Sequence, residues 1–243
     1  MTIALGAFFN ALGILLGALF GLVRRETIPA RMEVIGRGVL GAATIFFGLR
    51  LVYENLGGTF LSALKQLGLV VLSLVLGNAL GRLLKLQKLS NSLGRVAARA
   101  MAAADGKDPL PASAGFNACA ILFCAAPLGW VGAVVDGLSG YFYLLAIKGV
   151  MDGLAMTGFV KMFRWPCALS AVPVFVVFNA TSFACHIFVA PFLNARGLTA
   201  PVHAAAGLVT CAVALVIFQL RKIELANYLP ALVLAPLLAA AFR

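Results

Sequence analysis

The stretch Leu144-Leu145-Ala146-Ile147-Lys148-Gly149-Val150-Met151-Asp152-Gly153-Leu154-Ala155-Met156 sets a lysine and an aspartate inside an apolar run extending from residue 139 to 161. A helix needs about 20 such residues to cross a hydrocarbon core of about 30 Å. A surface helix of a soluble protein would carry one polar face along its length; this run carries none. It therefore predicts a membrane-crossing helix with two ionisable groups at lipid depth. Counted from Leu138, Asp152 is fourteen residues in, about 20 Å at 1.5 Å per residue. Lys148 lies four residues earlier, on the same helical face.

The same pattern recurs on both sides of this run. Of 243 residues 63% are hydrophobic and 11% charged, and the mean hydropathy is +1.04. Soluble domains are about a quarter charged, so this composition excludes a soluble globular class. Eight runs long enough to span are read at 3–23, 34–54, 60–84, 113–135, 139–161, 166–190, 200–220 and 225–242. Between the third and fourth lies a polar linker, 85–112, in which 88–104 predicts a short amphipathic helix on the membrane surface. The predicted fold class is all-α: one polytopic transmembrane bundle over residues 1–243.

The net charge of +11 is spent on topology rather than on nucleic acid. Arg24, Arg25 and Arg31 fall in the first connection, and Lys85, Lys88, Arg95 and Arg99 in the third. Lys161 and Arg164 fall in the fifth, and Arg221 and Lys222 in the seventh. The second and fourth connections have no Lys or Arg, and the sixth has only Arg196. Basic residues stay on the cytoplasmic side, so odd connections are expected in the cytoplasm of a bacterial inner membrane, with both termini outside.

An internal repeat is also expected. Phe9-Asn10-Ala11 with Ile14-Leu15 matches Phe116-Asn117-Ala118 with Ile121-Leu122, and Arg37-Gly38-Val39…Arg50 matches Lys148-Gly149-Val150…Lys161. The copies are three spans apart, so residues 1–84 and 113–195 would be inverted in the membrane, with 196–243 adding two spans. Inverted repeats commonly build transporters whose site lies at the midplane.

The candidate substrate- or ion-binding residues follow from the cost of polarity in lipid. A charge there costs at least about 2.5–3.5 kcal/mol. Asp152 with Lys148 reads either as a coupled ion site or as a buried ion pair that locks helices together. Asn10 and Asn117, paired by the repeat, are expected to face each other or a neighbouring helix. Cys124 and Pro127 mark a candidate site only through the proline: mid-helix it removes an N–H and clashes with the preceding turn, and broken helices expose backbone groups that bind ions. Asp136, in Asp136-Gly137, is read as part of an outer turn. Gly13, Gly17 and Gly21 form a small-residue stripe that fits a compact bundle or a homodimer seam. The five cysteines lie in apolar runs, and no HExxH, CxxC or Ser/His/Asp set occurs. No catalytic residue, metal or cofactor is therefore expected; the expected partners are the lipid bilayer and a small solute or ion.

Phe116…Leu122-Phe123-Cys124…Pro127, Gly132…Asp136-Gly137-Leu138 and Leu144…Lys148…Asp152-Gly153 together resemble the domain-of-unknown-function family 554 (DUF554) of bacterial membrane proteins. Asn10-Ala11, Ile28-Pro29 and Asn227-Tyr228-Leu229-Pro230-Ala231-Leu232 extend the resemblance over the whole chain. It implies an integral membrane protein and directs attention to Asn10, Cys124, Pro127, Asp136, Lys148 and Asp152. The sequence departs from the family pattern at Ala126, where a glycine is usual, and at Tyr141 and Arg82, where acidic residues are.

Overall fold

Eight apolar runs with short connections leave the chain few options but antiparallel neighbours, and the computed structural model bears out the helical part of that expectation. It describes residues 5–24, 29–104 and 112–242. Arg25 and the polar linker residues Asp105, Lys107 and Asp108 lie outside the described residues. The helices are α1 (Leu5–Val23), α2 (Ala30–Glu54), α3 (Phe60–Leu83), α4 (Leu86–Ala104), α5 (Ala112–Ala125), α6 (Pro127–Ser139) and α7 (Tyr143–Phe163). A 3-10 turn (Trp165–Ser170) leads into α8 (Ala171–Ala184), a π-helical turn (Cys185–Val189) and α9 (Ala190–Ala195). Then follow α10 (Thr199–Ile217), a 3-10 turn (Leu225–Tyr228) and α11 (Ala231–Ala241). No strand occurs among the described residues.

Among the described residues, six helical segments are long and apolar enough to cross a membrane, and α5 with α6, bent by 60° at their break, pass the same test as a pair. The apolar segment at the end, Leu225–Ala241, is shorter. Large apolar side chains such as Leu16, Leu19, Val39, Phe46, Leu61, Val75, Val172 and Leu237 point outward. Water would penalise so large an apolar surface; lipid does not. α4 lies where the surface helix was expected and carries Leu89 and Val96 exposed along one side.

Small residues choose the helix partners. A methyl built on Gly13 would collide with the backbone of Gly149, one on Gly17 with Gly153, and one on Gly21 with Thr157. These contacts ascend together, so α1 and α7 run parallel in backbone contact, as glycine allows. Gly48 meets Gly207 and Cys211 while Gly41 meets Phe218, so α2 and α10 run antiparallel. Gly77 meets Ala231 and Gly81 meets Asn227, which sets α3 antiparallel to α11.

The structure departs from the expectations at two places. Asp136 is not in a turn: α6, restarting at Pro127, runs on to Ser139, and the chain reverses at Gly140 with φ 73°. Glycine carries that left-handed φ at little cost. The residues equated by the repeat also differ in setting: Asn10 is buried and Asn117 exposed, while Lys148 is buried and Arg37 is a partly exposed partner of the exposed Glu33.

Candidate functional site

The close approach of α1 to α7 carries Asn10 against the middle of α7. Asn10 Nδ2 donates to Asp152 Oδ2 at 3.0 Å, and Lys148 Nζ donates to the same oxygen. All three side chains are out of solvent, at 0% exposure for Asn10, 7% for Asp152 and 1% for Lys148. Asp152 comes nine residues after Tyr143 in the 21-residue α7, about 13–14 Å along it. That is shallower than the count from Leu138 gave, yet it is the middle of the helix.

Two aromatic faces complete the lysine's surroundings. Its ammonium stands 5.8 Å from the ring centre of Phe123 on α5 and 5.1 Å from that of Phe178 on α8. Cations are attracted to the negative face of such rings, more strongly when both are desolvated. The lysine stem crosses Gly129 in the first turn of α6, where a methyl would strike Phe178 and Lys148 Cε. The site therefore draws on α1, α5, α6, α7 and α8.

The break between α5 and α6 sits beside this cluster. The residue before a proline avoids the helical region, and Ala126 is extended, with φ −67° and ψ 122°. Pro127 then begins α6, where its missing N–H costs nothing. The carbonyl of Cys124, freed by the break, accepts the Trp130 indole N–H at 2.9 Å. Cys124 is half-buried and within electrostatic reach of both Lys148 and Asp152. A cleft of about 540 Å³ reaches Ala125 and Ala126 from the side of α4, lined also by Ser90, Asn91 and Arg95.

Of the residues expected at a site, Asn10, Lys148, Asp152, Cys124 and Pro127 gather here. Asn117 does not: it lies on the exposed flank of α5. Asp136 is wholly buried one end away, with its carboxylate against Gly6 in the first turn of α1, where a helix favours negative charge.

Sequence reading missed Phe123, Phe178 and Gly129, because partners distant in sequence leave no local signal. It also missed His203, whose Nδ1 stands 3.2 Å from Asn55 Oδ1; a histidine in an apolar run was the available hint. An aromatic group closes the end of α7 nearest Lys148. Phe9 stacks on Phe142 at 5.3 Å, Phe142 on Tyr143 at 4.4 Å, and Tyr143 on Phe47 at 4.6 Å between ring centres.

One atom in the cluster is left over. Asn10 Oδ1 is buried and has no hydrogen-bond partner, a deficit of about 1–3 kcal/mol. An unfilled acceptor beside a carboxylate is suited to a cation or to a ligand that donates hydrogen bonds. Among the described residues no group of three or more His, Cys, Asp and Glu side chains suited to a metal ion occurs.

Comparison with known proteins extends over nearly the full chain. It is 26% identical to the uncharacterised protein YqgA of Escherichia coli (strain K12) over 242 residues, 98% of this chain and 97% of that one. It is 22% identical to the uncharacterised membrane protein YdfK of Bacillus subtilis (strain 168) over 233 residues, 95% and 93% of the two chains. No solved structure matches it. Residues 5–240 match the family described as "Protein of unknown function (DUF554)", and the chain belongs to that family.

Proposed function

We propose that this protein is a transporter or channel for a small solute or ion in a bacterial inner membrane, centred on Asn10, Lys148 and Asp152. The observation that carries the reading is the unfilled Asn10 Oδ1 beside a mid-helix ion pair. A pair kept only for packing would gain nothing from an adjacent orphan acceptor, whereas a ligand site needs one. Support comes also from the helix break, which lets α5 and α6 move against each other, and from the cleft that reaches it. The alternation of basic connections supports odd-numbered connections in the cytoplasm and termini outside.

In this reading the conformation is occluded. The aromatic stack closes one end of the site, and Lys148 and Asp152 neutralise each other until the ligand arrives. A cation or proton taken up by Asp152 releases Lys148, whose ammonium then rests on Phe123 and Phe178. The change of partner is what couples occupancy to the hinge at Ala126-Pro127.

A second reading, a structural or regulatory scaffold without transport, is favoured by the near-complete burial of the pair. Proteoliposome flux of a panel of ions and metabolites distinguishes them. Transport predicts uptake by the wild type that Asp152→Asn reduces by about tenfold or more, the loss of one charge-assisted contact. No flux that depends on Asp152 for any panel member leaves the scaffold reading.

A further inference from the structure

A second cleft, of about 440 Å³, opens where the end of α1, the first two turns of α2 and the last turns of α7 converge. Arg24, Arg37 and Lys161 line it, and Glu33 is the acidic group there. Glu33 accepts from Arg37 Nη2 at 2.9 Å. That leaves Arg37 Nε buried without a hydrogen-bond partner. Arg24 makes no ion pair among the described residues and rests its guanidinium 5.6 Å above the Phe20 ring. Among the described residues of its lining, the cleft thus offers guanidinium N–H groups from Arg24 and Arg37 and one carboxylate, Glu33.

We infer that this cleft binds the phosphodiester headgroup of an anionic phospholipid. A guanidinium presents a planar fork that fits phosphate oxygens in pairs, and basic pockets between membrane helices are the usual seats of acidic headgroups. A lipid is favoured over free phosphate by what surrounds the charges. Phe20 and Met32, both in the lining, stand about half exposed at 46% and 57%, apolar surface that suits acyl chains and not a soluble phosphate. Arg24 follows the end of α1, Lys161 is in the last turn of α7 and Arg37 is in the second turn of α2. Arg24 and Lys161 are thus at helix ends, and Arg37 joins them in the lining of the one cleft. A headgroup there performs a mechanical task as well. α1 packs on α7 and α2 on α10, while α1 and α2 scarcely touch. Phosphate held between Arg24 and Arg37 ties the α1–α7 pair to the α2–α10 pair.

Thermal unfolding of the purified protein in a neutral detergent, with added phosphatidylglycerol, phosphatidylcholine or soluble glycerol phosphate, tests this. Phosphatidylglycerol is expected to raise the unfolding temperature, more in low salt than in high, and the other two to leave it unchanged. Arg24→Gln with Arg37→Gln is expected to weaken the lipid's half-maximal effect about thirtyfold, the joint worth of two basic groups at an anionic surface. Arg196→Gln, a charge removed elsewhere, leaves it unchanged. Equal protection by glycerol phosphate assigns the site to soluble phosphate and overturns the lipid assignment. Equal response in the double variant also overturns it. If the double variant does not fold, wild-type protection that ignores salt has the same force.

Discussion

Lys148 has one carboxylate and two aromatic faces around it and is 1% exposed, so Asp152 is the group that balances its charge. Removing one member of a buried pair strands the other, at about 3–5 kcal/mol, whereas replacing both with apolar groups is often neutral. Lys148→Met is therefore expected to destabilise the protein by about that much, and Lys148→Met with Asp152→Leu to recover most of it, measured by unfolding in mixed micelles. A single variant costing under about 1 kcal/mol would mean the lysine is not charged in the fold. The pair itself was legible in the sequence, since i and i+4 on one helix fix its geometry. Asn10 was visible as a polar residue in lipid, with Asn117 or a neighbouring helix as its expected partner; the structure supplies the helix, but its bond to Asp152, 142 residues away, was not legible.

At the scale of elements, proline and glycine carried most of the readable signal. Pro127 announced an interruption, and the observed break is deeper than a kink because Ala126 is extended and α6 begins afresh. That restart is also why Asp136 ended inside a helix. The glycine stripe of α1 announced a close neighbour without naming it, because a stripe specifies a shape that many small-residue helices fit. The structure answers with Gly149 and Gly153, which sit in the same run as the ion pair. A side chain at Gly17 has no room, so Gly17→Leu is expected to cost more than the about 1–3 kcal/mol typical of overpacking, and to part Asn10 from Asp152. Gly36 and Gly38 face open space; alanine there is expected to be neutral or to stabilise by up to about 1 kcal/mol. Unfolding temperatures of the three variants check the contrast, and equal losses at all three would contradict the assigned seam.

Over the whole molecule, composition alone made the helical membrane class legible, because no soluble fold can cover so much apolar surface. The order of helix pairing was not legible. α1 with α7 parallel, and α2 with α10 and α3 with α11 antiparallel, is the arrangement expected when each run crosses once, with α5 and α6 together making one crossing. The string similarity between residues 1–84 and 113–195 did not foretell which residues would be buried. Matching letters in apolar runs record a common alphabet as readily as a common environment.

The central claim is that a carboxylate held in the middle of the bundle is reached by water and ligand through movement at the α5–α6 break. Cys124, at that break and within electrostatic reach of both charges, is a native reporter. Wild-type protein in sealed vesicles of known orientation would be exposed to a membrane-impermeant thiol reagent from each side, with modified residues identified by peptide mapping. The account predicts that Cys124 reacts from both sides and that Pro127→Ala, by rejoining the two half-helices, slows the reaction. A Cys124 inert from both sides, in protein whose α4-facing surface labels normally, would contradict it.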